Sequence, residues 1–103
     1  MRSFYYTGLA DGEAKKIVGQ NVAVEINYTG ATTLIVCVKG GFSTTNLTEI
    51  VDQFNDQITR ATVNGDGKHV VNISGLTPGS FICGSIVSGT GTISVNLITG
   101  SEL

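Results

Sequence analysis

At 103 residues, with 14% charged and 41% apolar side chains, the chain holds enough for one packed core, which excludes a multi-domain machine and speaks against disorder. The net charge is −2, and Arg2, Lys15, Lys16, Lys39, Arg60 and Lys68 are scattered, so no basic stripe is available for phosphates and nucleic acid is not an expected partner. The longest apolar runs, such as Leu34 to Val38, fall far short of the roughly 20 residues a membrane-crossing helix needs.

Val, Ile and Thr supply 34 residues against 11 Ala and Leu, a balance that favours pleated, half-buried strands over helices. Ser3 to Thr7 is aromatic and extended, and Gly8 to Gly12 reads as a turn before a short strand over 14–18. Residues 1–20, with clustered aromatics and paired lysines, are expected to form an N-terminal arm or edge strand, and 21–103 the domain proper. Met1-Arg2-Ser3-Phe4 does not open a signal peptide, because Thr7, Gly8, Asp11 and Glu13 interrupt any apolar stretch, so synthesis in a cytoplasm is expected.

From Asn21 to Tyr28 the chain alternates strictly, with Val22, Val24 and Ile26 on one face. Thr29-Gly30-Ala31 reads as a turn into Thr32 to Val38, where Leu34 to Val38 are apolar on both faces, as in a central strand or one covered by a neighbouring subunit. Between Phe42 and Ile58 the apolar spacing changes to that of a helix (Leu47, Ile50, Val51, Phe54, Ile58), with Thr45 or Asn46 as N-cap. The same residues also fit a meandering loop with a short strand near Ile50, since β-branched residues are weak helix formers. Phe42, Phe54 and Phe81 read as core candidates.

Asn64-Gly65-Asp66-Gly67, between strands 59–63 and 68–74, has the residues that close a hairpin with φ > 0. Gly75 to Gly79 is a further turn, Ser80 to Val87 a strand, Ser88 to Gly91 a turn, and Thr92 to Thr99 a last strand with Ile93, Val95 and Leu97 facing the core. About seven to eight strands at roughly ten-residue spacing predict an all-β, single-domain antiparallel β-sandwich, with a jelly roll or small barrel as the alternative.

Little in the chain suggests catalysis. His69 is the one candidate base, with no Gly-x-Ser-x-Gly elbow or reactive Cys context beside it. Glu49, Asp52 and Asp56 would share the solvated face of a helix, and Asp66 lacks the ligand run of a calcium loop. Cys37 and Cys83 lie in separate strands and read as buried free thiols or a disulfide, not as a zinc site. No cofactor and no metal is expected, and the chain is read as a non-enzyme. Tyr5, Tyr6 and Tyr28 are the residues on which a glycan could stack.

The stretch from Gly65 to Leu76, followed by Phe81 to Leu97, resembles a recurring β-sandwich module of tailed-phage virion proteins, which ends in a similar succession of Asn-Gly, strand, Gly-Leu, strand, Ser-Gly, strand. Val22 to Val38 fits that module's early hairpin, so the resemblance spans roughly residues 21–99; the Arg-rich, aromatic strand of the modules is here Phe81-Ile82-Cys83-Gly84. The resemblance implies a virion structural protein of the capsid-decorating, auxiliary or head-fibre kind. It would be a homo-oligomer bound to the major capsid or another virion protein. A carbohydrate- or host-surface-binding module of a tail appendage is the alternative. The partner-binding candidates are Phe4, Tyr5, Tyr6, Tyr28 and Ile35, the aromatics because such side chains dominate interface energetics.

Overall fold

The computed structural model describes residues 3–100, in which every regular element is a strand. These are β1 (Ser3–Leu9), β2 (Lys15–Lys16), β3 (Asn21–Gly41), β4 (Thr48–Glu49), β5 (Ala61–Ile73) and β6 (Phe81–Gly100), and every pairing is antiparallel. β3 lies at the centre, with β6 on one flank and β5 and β4 on the other, while β1 and β2 pair with the far flank of β6. Among the described residues the two outer flanks do not pair with each other, so the sheet is open and not a barrel.

At roughly 3.3 Å per residue a straight strand of 21 residues would span about 70 Å. The longest dimension of the molecule is 39 Å, so β3 and its 20-residue neighbour β6 must bend. The bend is built from extra residues. β3 carries two more residues than β5 between Tyr28 and Leu34, and two more than β6 between Thr29 and Ile35. Each extra residue kinks a strand and flips its inward face. Thus Val22, Val24 and Ile26 point inward, then Ala31, then Leu34, Val36 and Val38. Gly30, Thr33, Gly65, Gly89 and Gly91 all take positive φ at this level. Side chains replace the interrupted ladder: Asp66 Oδ1 accepts from the Gly30 amide and Asn64 Oδ1 from the Thr33 amide, both at 2.8 Å.

Three expected turns are therefore corners that strands pass through. Thr29-Gly30-Ala31, Asn64 to Gly67 and Ser88 to Gly91 do not reverse the chain; β3, β5 and β6 continue through them, side by side. Fewer and longer strands result than the seven or eight expected, and the sandwich arises because one sheet folds over on itself. Gly84, paired with Val38 beyond the corner, faces Val95, which pairs with Ile26 before it. A Cβ on Gly84 would come within 2.8 Å of Val95 Cγ2 and 3.1 Å of Ile26 Cγ1. The two halves close over Leu9, Ile17, Val24, Ile26, Leu34, Val36, Val38, Ile82, Val95 and Leu97, all buried.

Two buried threonines extend the ladder where strands end. Thr59 Oγ1 accepts from the Val38 amide and donates to its carbonyl, while Thr99 Oγ1 does the same for Val18. The N-terminal segment lies along both halves of β6. β1 pairs with 95–100, Gly12 N donates to the Gly84 carbonyl, Asp11 Oδ1 accepts from Ile86 N, and Lys15 and Lys16 pair with Ile82 and Phe81.

Over 42–58 the loop with a short strand (β4) forms and the helix does not. Asn46 and Asn55 take positive φ, and Asp52 Oδ1 accepts from the Phe54 and Asp56 amides, a side-chain turn that competes with helical bonding. Phe42 and Phe54 are consequently 81% and 74% exposed, a correction to their reading as core. Cys37 and Cys83 are buried free thiols. Cys37 pairs with Ser85 and Cys83 with Lys39, so the cysteines are diagonal neighbours, an arrangement of roughly 7–8 Å that is too wide for a disulfide.

The face-to-face contact sets a prediction. Gly84→Ala should cost about 1–3 kcal/mol by overpacking, and the cost should shrink when Val95→Ala is combined with it. Urea denaturation of the two single variants and the double variant measures this; strictly additive losses would place Gly84 and Val95 apart.

Candidate functional site

Among the described residues, two surfaces each present several apolar side chains to solvent. The first is the outer face of the sheet half built from β1, the end of β6, the start of β3 and the end of β5. Register places Tyr5 beside Ile98, Ile98 beside Ala23, and in the next row Asn96 beside Glu25 beside Val70. Tyr5 is 71% and Val70 50% exposed, and between them runs a shallow groove of ≈ 370 Å³ with an apolar lining. At its floor the Glu25 carboxylate accepts from Asn96 Nδ2 at 2.9 Å and Asn27 Nδ2 at 3.2 Å, and Lys68 Nζ lies 3.3 Å away. These bonds, Asn96 foremost, hold the Glu25 carboxyl below its ordinary 4.5.

The second surface is the 42–58 loop, where Phe42, Val51, Phe54 and Ile58 all face solvent. Phe42 stands beside an open cleft of ≈ 650 Å³ that separates this loop from the 75–80 turn and is floored by Ile50, Leu76 and Ile82. The loop is held in shape. Ser43 Oγ bonds the Thr45 carbonyl, Asp52 fixes its own turn, and Arg60 makes a two-pronged pair with Glu49, Nη2 to Oε1 at 2.6 Å and Nε to Oε2 at 3.2 Å.

Of the residues singled out in the sequence, Phe4, Tyr5 and Tyr6 stand together on β1, with Phe4 and Tyr6 on the core side and Tyr5 on the outer side of that edge. Tyr28 sits at the corner, half-buried against the core, with its hydroxyl over Gly67. Ile35 lies beyond the corner and is half-buried between Thr62 and Ser88. Neither lines the Tyr5 groove. Val70, Ile98, Glu25 and Asn96 escape a residue-by-residue reading because only cross-strand register brings them together. The exposed phenylalanines escape it because their spacing imitates a buried stripe.

Most of the candidate catalytic groups are engaged in structure. His69 points inward with Nε2 3.1 Å from the Thr59 carbonyl, across the fold-over, so that nitrogen carries the proton. Glu49 is paired with Arg60, Asp52 and Asp56 belong to one loop turn, and Asp66 serves the corner. Burial, followed by the nearby Glu49 carboxylate, pushes the Cys37 thiol up to about 11; burial also raises Cys83. Compared with known proteins, the chain matches no family model, no curated sequence and no solved structure.

Two outcomes follow. Because the folded-state pKa of Glu25 is depressed, its contribution to stability is full above pH 4.5 and is lost as pH falls through the lower folded value. Urea midpoints measured downward from neutral pH should therefore fall with acid, and Glu25→Gln should flatten part of that fall; an unchanged slope would contradict the network. The cysteines, as scarce thiolates, should resist maleimide at neutral pH in the folded chain and react in urea, as counted by mass spectrometry.

Proposed function

We propose that the chain is a non-enzymatic assembly subunit that works by docking, and that it does so in a tailed-phage virion as a capsid-decorating, auxiliary or head-fibre protein. The observation that carries the docking reading is the 42–58 loop, which presents four large apolar side chains on a pre-shaped scaffold. Several large apolar side chains held toward solvent along one short loop mark a candidate interaction surface. Because the loop's turns are already bonded, little ordering entropy is lost when a partner covers it. The virion setting rests on the resemblance of residues 65–97 to the phage module. The partner would be the major capsid or another virion protein, or further copies of the chain.

One observation favours a second reading, a carbohydrate- or host-surface-binding module. Tyr5 stands free beside a groove floored by Glu25 and Asn96, an aromatic ring and amide-carboxylate pair of the kind that a sugar's apolar face and hydroxyls engage. Pelleting separates the readings. Mixed with phage heads from its own source, the chain should sediment with them, and Phe42→Ser with Phe54→Ser should abolish that while leaving the fold intact by circular dichroism. Heads that leave the chain in the supernatant, together with glycan-array retention lost on Tyr5→Ala, would establish the second reading instead.

A further inference from the structure

The open sheet has free edges, and they are not alike. On one side β5 carries Asp66, Lys68 and His69 and is kinked at Gly65. β2 is the paired lysines, with Glu13 beside Lys15 at 3.7 Å. Charges and kinks of this sort are how exposed strands are kept from pairing with other chains. β1 carries no charge: Ser3–Leu9 holds no charged residue and no proline, its first part is aromatic, and its one kink, at Gly8, lies beyond that aromatic run. Its far edge pairs with no strand among the described residues.

We infer that β1 is the edge through which two copies of this chain join, antiparallel across a two-fold axis, into one continuous sheet. The strand is regular from Ser3 to Tyr6 and irregular between Tyr6 and Leu9, which centres the usable edge near Tyr5. With the axis at Tyr5, Tyr5 faces the partner's copy of itself on the outer side, and Phe4 faces the partner's Tyr6 on the core side. No like charges meet among these residues, and the central pairs are aromatic–aromatic, a kind that stabilises neighbouring strands. The pairing also covers the exposed Tyr5 ring and the 39% exposed Phe4. β5 is guarded instead: Lys68 and His69 stand on its length, and the kink at Gly65 divides it. The pairing is isologous, so it closes at two copies and leaves both 42–58 loops free for another partner.

This inference rests on the assembly reading and names its self-contact. Sedimentation equilibrium of the full chain over a wide concentration range should show a transition from 10.7 kDa to twice that mass with a plateau at the dimer. Tyr5→Lys, which installs the missing guard on an exposed position, should remain folded and monomeric throughout. Val70→Lys, on the same outer face but on β5, should leave the dimer unchanged. Tyr5→Cys should cross-link to a covalent dimer on mild oxidation, since an on-axis pair brings the two Cα atoms within disulfide reach; Val70→Cys should not. A wild-type chain that remains monomeric would overturn the inference, as would a dimer that survives Tyr5→Lys. A mass that climbs without a plateau would overturn it too, by pointing to β1 on β5 in an open chain. None of those results touches the pelleting test, which reads the 42–58 loop.

Discussion

Gly84 lies against Val95 and Ile26 with no room for a side chain, and this contact between two parts of one sheet is what the remaining architecture serves. Three neighbouring strands of 13 to 21 residues must bend at one level for it to form. If one bent and the others did not, the ladder between them would break, leaving backbone amides and carbonyls unpaired at a cost of about 1–3 kcal/mol for each buried group. The chain meets this constraint with extra residues on the central strand, glycines where φ turns positive, and Asn64 and Asp66 as side-chain substitutes for lost ladder partners. Gly89 is the tightest point: a Cβ there would strike the Thr33 carbonyl oxygen, so only glycine lets β6 pass β3 at the corner.

The open edges follow from the same geometry. A sheet folded once, instead of rolled into a barrel, retains two flanks. On one, Thr59 completes the ladder beside β4 and the Arg60–Glu49 pair holds the following loop; on the other, the 3–17 segment binds both halves of β6. Among the described residues, what is left uncovered includes a charge-free strand at β1 and an apolar loop at 42–58. These two surfaces are separate, one proposed for a second copy of the chain and the other for a different partner.

Much of this was legible in the residues. The excess of Val, Ile and Thr gave an all-β chain, and the inward faces of 22–26, 69–73 and 93–97 follow from simple alternation. The corners were not legible as corners. A glycine with positive φ beside an Asx residue is the local chemistry of a hairpin turn and of a kinked strand alike; Asn64 to Gly67 differs from a hairpin only in that Val63 and Lys68 pair with β3 instead of with each other. That choice is made by the distant strand. The 42–58 loop was ambiguous for a related reason: its apolar spacing fits a helix, but Asp52 satisfies two amides locally and the asparagines at 46 and 55 take left-handed backbone. The groove of Tyr5, Val70 and Glu25 depends on three separate registers, so no single segment announces it.

The measurement that tests the fold-over most directly is a set of cross-strand nuclear Overhauser contacts at the corner of β5. The account predicts Val63 close to Leu34 and Val71 close to Val24, two ladders on the same partner strand, with no backbone contact between Val63 and Lys68. Strong Val63–Lys68 backbone contacts, with Val63 away from Leu34, would show that the chain reverses at Asn64 to Gly67, and the folded single sheet would be wrong.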